Sequence, residues 1–279
     1  MPPRLELNGR AVTGLSLELY PAFGSYGHFT AMQVRGGRVR GLDFHLARLD
    51  AATRELFGVG LSGERVLGHL RHALGHGSSE KNDGRNGSTT RDASVRINVF
   101  SPDGSVEPPA GVEPEISVLL TVGPPHEMPA GPLSLCSVPY QRPFAHIKHV
   151  GGFAQGHYIK LVERRGFDEP LLVGEGGLIA EGAITNVGFI QGDAVVWPQA
   201  PMLLGTGMQV LQRELSAADV PQHHRRVLLD DLAAFDGAFV TNSRGIATVR
   251  RIDELDIPLG APLLAHVLDR CAQAPWDAI

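Results

Sequence analysis

Residues 123–132, GPPHEMPAGP, hold four prolines. Proline has no backbone N–H and a fixed φ, so neither a helix nor an interior strand runs through such a stretch. It divides the 279-residue chain into two halves, and each half shows its own strand and helix patterns. With 43% apolar residues there is enough to fill two cores. The expected organisation is an N-terminal domain over 1–122, a linker over 123–132 and a second domain over 133–279.

In the first half, RLELNGRAV alternates around Asn-Gly and reads as a hairpin. HFTAMQVRGGRVRGLDFHLARLDAATRELFG reads as strand, turn, strand and helix, with Leu46, Leu49, Ala52 and Leu56 at helical spacing. A second helix is expected over 62–75, then a polar, Gly- and Ser-rich surface loop over 76–93, then strands at SVRINVF and EISVLLTV. The second half reads as a strand at 133–139, a helix near 152–165, strands within 170–197, a helix near 207–218, the strand GAFVTN and a closing helix near 260–271. Strands and helices mix without strict βαβ alternation, which predicts an α+β fold.

The formal charge is -5 with both signs interspersed, so no basic stripe points to nucleic acid or to a membrane surface. No apolar run is long enough to span a bilayer, and the N-terminus carries no signal-peptide pattern. Cys136 and Cys271 lie far apart and form no disulfide framework or zinc motif; a cytoplasmic protein is expected. The adjacent His223 and His224 would point to opposite faces of a strand, a poor metal pair, and no metal site is expected. The glycines of GGLIAEGAI lack the dinucleotide-binding spacing.

That same stretch, GGLIAEGAITNVGFI, places Glu181 between two apolar strands. A carboxylate there is costly unless a cation meets it. An arginine or lysine elsewhere in the core is the plainest partner. Three other features bear on the choice. Lys148, in FAHIKHVGGF, lies among apolar and small residues, and desolvation favours its neutral, nucleophilic form. Gly205-Thr206-Gly207 opens a helix, where free N–H groups and the helix dipole suit an anion, although glycine-rich helix starts are common. Thr241-Asn242-Ser243 end a strand at a turn and could face the same anion or simply cap the turn. Arg96, in SVRINVF, suits a substrate carboxylate or a solvent-facing edge equally, and Arg142 is open in the same way. A lysine, an anion nest and a buried carboxylate are together what pyridoxal phosphate requires, with the carboxylate meeting its pyridinium.

At these motifs the chain resembles the fold-type IV pyridoxal-phosphate enzymes, the class IV aminotransferases, which include branched-chain and D-amino-acid aminotransferases and aminodeoxychorismate lyase. FHLARL, IKHVGG, RRGFDEPLLV, LIAEGAITNVGFI, LLGTGMQVL and FVTNSRGIATV stand in the family's order, with Lys148 and Glu181 separated by the family's spacing (181 − 148 = 33). The resemblance implies two α+β domains with pyridoxal 5'-phosphate in the cleft between them, and a homodimer. It implies that Lys148 forms the Schiff base, Glu181 meets the pyridine nitrogen and Leu203 packs on the ring. Arg48, Gly205, Thr206, Gly207, Asn242 and Ser243 would hold the phosphate. Thr30 and Arg96 are the substrate-side candidates. The implied activity moves an amino group from an amino acid or related amine to a keto acid. The alternatives are an aminodeoxychorismate-lyase-like activity and a cofactor-binding protein without turnover. The chain departs from the family's pattern at Gly207, where a threonine is usual, at Met208, at Phe153 in place of a tyrosine, and at Thr30-Ala31 on the N-terminal strand.

Overall fold

A computed structural model describes residues 4–11, 24, 26–75, 92–102 and 114–279. The expected loop at 76–93 lies, as far as residue 91, outside the described residues. The chain divides into two compact units. The first comprises Met1–His126, Lys148–Gly151 and Trp276–Ile279; the second comprises Glu127–Ile147 and Gly152–Pro275.

The first unit is built on an antiparallel sheet. Its strands are β1 (Arg4–Leu7), β2 (Arg10–Ala11), β3 (His28–Arg35), β4 (Arg38–Val39), β5 (Ala93–Phe100) and β6 (Ser117–Gly123), joined by β16 (Asp277–Ala278) from the C-terminus. The order is β16-β4-β3-β5-β6-β1-β2. The hairpin at Asn8-Gly9 forms as its sequence predicts. Helices α1 (Leu42–Phe57) and α2 (Gly63–Ala73) cover one face. Leu49, Val66 and Leu70 of the helices pack there with Met32, Val34, Val95, Ile97 and Val99 of the sheet. Strand side chains alternate between faces. Phe29 and Ala31 on β3, and Arg96 on β5, therefore lie on the face away from the helices, with Ala31 directly opposite Arg96.

Two contacts of this unit come from distant parts of the chain. Asp277 accepts a hydrogen bond from the N–H of Leu42 (3.0 Å), which caps α1. The segment Lys148–Gly151 pairs with the start of β3: Phe29 N–H donates to the Lys148 carbonyl (2.9 Å) and Val150 N–H to that of Gly27 (3.0 Å). No strand was expected at 277–278; two residues carry no periodicity.

The second unit is a mixed sheet of β7 (Leu133–Pro139), β8 (Glu169–Val173), β9 (Ile179–Gly182), β10 (Asn186–Gln191), β11 (Ala194–Pro198), β12 (Gln222–Arg225), β13 (Gly237–Asn242), β14 (Gly245–Ile252) and β15 (Leu255–Asp256). The order is β12-β11-β10-β13-β14-β7-β8-β9, with β15 on β14. Helix α3 (Phe153–Glu163) connects the parallel neighbours β7 and β8 and buries Val162 against Val138 and Leu172. Helices α4 (Thr206–Ala217) and α5 (Pro262–Gln273) pack Met208, Leu211 and Val267 around Trp197 and Phe239. The fold is α+β, as the mixed element order predicts.

Candidate active site

In the first unit, the expected residues form two layers on opposite faces of β3. On the helix side, Thr30 is fully buried. Its hydroxyl accepts from Nη2 of Arg48 and lies 2.6 Å from Nδ1 of His45. Arg48 Nη2 also lies 3.4 Å from His45 Nδ1, and a guanidinium only donates, so Nδ1 is the acceptor, the Thr30 hydroxyl donates to it, and the ring's proton sits on Nε2. Burial, with Arg48 and then Lys148 nearby, holds the His45 pKa well below 6.5, so the ring is neutral. Burial and Arg48 likewise bring His28 down to about 4. Thr30 was expected to face substrate. Strand alternation turns it inward instead, and its hydroxyl orients Arg48.

On the other face, Lys148 Nζ lies 4.9 Å from the centroid of the Phe29 ring, and the Arg96 guanidinium carbon lies 3.5 Å from the same centroid. Arg96 is exposed, donates from Nε to Asn98 (3.0 Å), and has its pKa lowered by burial of part of its surroundings. β5 lies between β3 and β6, so Arg96 is not on a sheet edge.

In the second unit, Glu181 is 6% exposed on β9. Its cation is Arg142, whose Nε donates to Oε1 (3.1 Å). The Leu203 N–H donates to Oε2 (3.1 Å). Arg142 is itself 5% exposed, so neither a substrate-facing nor an edge position holds for it. An arginine among Pro139, Tyr140, Pro143 and Phe144, in PYQRPFAHI, was the available sign of a core charge.

Leu203 begins a loop that ends in α4. Its carbonyl accepts from Asn186 Nδ2 (2.7 Å). A Cβ on Gly205 would come 2.1 Å from Asn186 Oδ1, so a side chain there would displace the Asn186 amide. Gly205 has no side chain to cap the helix, and the Thr206 hydroxyl just inside it is buried with no hydrogen-bond partner. Free N–H groups and an orphaned hydroxyl at a helix N-terminus fit a phosphate monoester. A Cβ on Gly207 would come 2.3 Å from the Asn242 carbonyl oxygen. That close approach accounts for glycine where the family's pattern has threonine. The Asn242 side chain closes its own turn, accepting from Arg244 N–H (2.8 Å), and Ser243 sits half-buried at the turn's tip.

Glu169, at the head of β8, was not assigned a role by its sequence context. Its Oε1 accepts from Thr185 Oγ1 (2.8 Å) and from Ile184 N–H (3.2 Å), holding the turn that joins β9 to β10. Burial raises its pKa from 4.5 to about 7; Thr185, Ile184 N–H and Arg244 oppose the shift, and Glu181 adds to it. The folded protein therefore binds this proton more tightly than the unfolded chain does. The associated stability is complete below about pH 4.5 and drains as pH rises through about 7. Glu169→Gln removes that drain. Urea unfolding at about pH 5 and about pH 8 is expected to show the variant gaining up to about 3 kcal/mol on wild type between the two. The difference cancels the opposite trend from His28 and His45, whose depressed pKa values cost stability as pH falls below 6.5. A constant difference would mean that Glu169 does not titrate in this window.

The family described as amino-transferase class IV matches residues 27–252. No curated protein matches the chain at the sequence level. Among solved structures, the branched-chain amino acid aminotransferase of Escherichia coli superposes with a TM-score of 0.78 at 18% identity, covering 95% of this chain and 91% of that one. A provisionally assigned 4-amino-4-deoxychorismate lyase from Legionella pneumophila gives 0.79 at 15% identity, covering 95% and 96%. A hypothetical aminotransferase from Mycobacterium tuberculosis, in its PLP-bound form, gives 0.76 at 17% identity, covering 97% and 98%. At these identities the likeness is one of fold.

Proposed function

From the premise that this chain belongs to the class IV aminotransferase family and is a pyridoxal-phosphate enzyme, we propose that it moves an amino group from an amino acid or related primary amine to a keto acid, using Lys148, Glu181 and the 203–207 loop on one cofactor. The observation that carries this reading is the loop itself. Leu203 N–H holds the carboxylate suited to a ring nitrogen, and three residues on, Thr206 offers an unpartnered buried hydroxyl at a helix N-terminus suited to the phosphate.

When bound, the cofactor supplies an electron-accepting ring that stabilises negative charge at the carbon bearing the substrate amine. Glu181 keeps a proton on the ring nitrogen. Leu203 packs on the ring. Arg48, Gly205, Thr206, Gly207, Asn242 and Ser243 would hold the phosphate, with Thr30 orienting Arg48. Lys148 carries the cofactor covalently. With its amine free, it would act as general base at the substrate Cα and as general acid toward C4′ of the cofactor, so that the proton moves from one carbon to the other. Arg96 binds the substrate carboxylate, and its stacking on Phe29 fixes the direction of the guanidinium.

We also expect a cytoplasmic homodimer. The exposed Phe144 and Phe153 are large apolar side chains of the kind a partner subunit covers. No helix among the described residues is long and apolar enough to cross a membrane.

The visible absorption of the cofactor-loaded protein, titrated with L- and D-amino acids, tests the function. Loss of the band with an amine and its return with a keto acid is the expected result. Pyruvate release from aminodeoxychorismate without a keto acid would make the protein a lyase. A band that no amine alters would leave a binder without turnover.

Gly207 gives a second check. Gly207→Ala puts a methyl group against the Asn242 carbonyl, and overpacking of backbone against backbone costs about 1–3 kcal/mol. Equilibrium binding of pyridoxal phosphate is expected to weaken roughly 10-fold or more. Unchanged affinity would remove Gly207 from the phosphate site.

A further inference from the structure

Arg142 does more than neutralise Glu181. Each of its three nitrogens has an acceptor: Nε the Glu181 carboxylate, Nη1 the Ile147 carbonyl (2.9 Å), and Nη2 the Ala145 carbonyl. A guanidinium is a rigid planar fork, so these acceptors hold one another in a set arrangement. One is the carboxylate assigned to the ring nitrogen. The other two belong to the stretch that leads directly into Lys148.

That stretch needs holding. Phe144 has φ 47, in the left-handed region that a bulky side chain enters only at a cost, and it is 70% exposed, so its own packing does not fix it. The Ile147 N–H closes a turn onto the Phe144 carbonyl (2.9 Å), and Arg142 binds the carbonyls of the next residue and of the turn's last residue. At the other end, Leu203 N–H takes Oε2 of Glu181 while Arg142 takes Oε1, so the carboxylate is fixed from two sides.

We propose that Arg142 is the positioning residue of this site. Through Glu181 it sets the carboxylate against the ring nitrogen, and through Ala145 and Ile147 it sets the peptide entering Lys148. The proposal rests on the role given to Glu181 above. A plain core ion pair would make the same contacts, and the two differ in one respect. A core pair lost would weaken every ligand alike. A positioning residue lost would weaken specifically what depends on the ring nitrogen.

Equilibrium binding of pyridoxal phosphate, and of its 1-deaza analogue with carbon in place of the ring nitrogen, separates them. Wild type, Arg142→Gln and Arg142→Lys are compared by the ratio of the two affinities. Wild type is expected to prefer pyridoxal phosphate roughly 10- to 100-fold, the scale of a hydrogen bond to a charged group. Arg142→Gln should bring the ratio close to one. Arg142→Lys keeps a charge but not the fork, and should fall between. A wild-type ratio in Arg142→Gln overturns the proposal, whatever the absolute affinities. Should that variant fail to fold, a wild-type ratio in Arg142→Lys overturns it alone. A wild-type protein that shows no preference overturns the role of Glu181 and the proposal with it. Binding of neither aldehyde overturns the cofactor reading itself.

Discussion

Lys148→Ala is expected to abolish amino transfer, lowering kcat/KM by a factor on the order of 10^4 or more, because one group both carries the cofactor and moves the substrate proton. The fold should survive. Within the first unit, Lys148 pairs with β3 through its backbone carbonyl, which accepts from Phe29 N–H, and alanine keeps that bond. The lysine side chain adds a contact to the Phe29 ring at 4.9 Å, worth about 0.5–1 kcal/mol at an open site. Thermal unfolding should therefore move by a few degrees at most while steady-state turnover disappears. A Lys148→Ala protein that transaminates at the wild-type rate would sink the assignment. One that loses activity only because it unfolds would show it in circular dichroism.

Glu181→Ala combines two losses that can be read apart. Removing one preorganised charge from the reacting centre costs roughly 10^2- to 10^3-fold in the proton-transfer step, measured in a single turnover. Removing the anion also leaves Arg142 buried without its partner, which costs about 3–5 kcal/mol of stability. The second loss should be recoverable. Glu181→Ala combined with Arg142→Met removes both charges together, and a dehydrated pair replaced by apolar groups is often neutral in stability. Denaturant unfolding is expected to show the double variant more stable than Glu181→Ala alone, with activity no better. A double variant no more stable than the single one would show that the stranded guanidinium is not the source of the cost. Single-turnover rates unchanged in Glu181→Ala would refute the role at the ring nitrogen.

Much of this molecule is legible along the chain. The helical spacing of Leu46, Leu49 and Ala52, the Asn8-Gly9 hairpin and the apolar runs of the second half are local signals, because side-chain direction repeats with each backbone's own period. Lys148, Glu181 and the Gly205-Thr206-Gly207 helix start are legible for a related reason. Their chemistry sits in the residue types and their flanks, and the cost of an isolated buried carboxylate follows from Glu181's neighbours alone.

What answers that cost is another matter. Arg142 and Glu181 are separated by 39 positions and meet at 3.1 Å, and nothing in either local pattern specifies the pairing. Thr30 reads as a substrate-facing hydroxyl until β3 takes its place in the sheet and turns it toward His45 and Arg48. Gly207 reads as a missing threonine until the Asn242 peptide lies 2.3 Å from where a Cβ would be. Arg96 could sit on a sheet edge until β5 takes its place between β3 and β6, which leaves it exposed on the face of the sheet. The sequence by itself determined which residues are chemically equipped to act and which elements carry them. Tertiary structure decided which face each side chain takes and which charge it meets, because burial and pairing arise only when strands distant in the chain come into register.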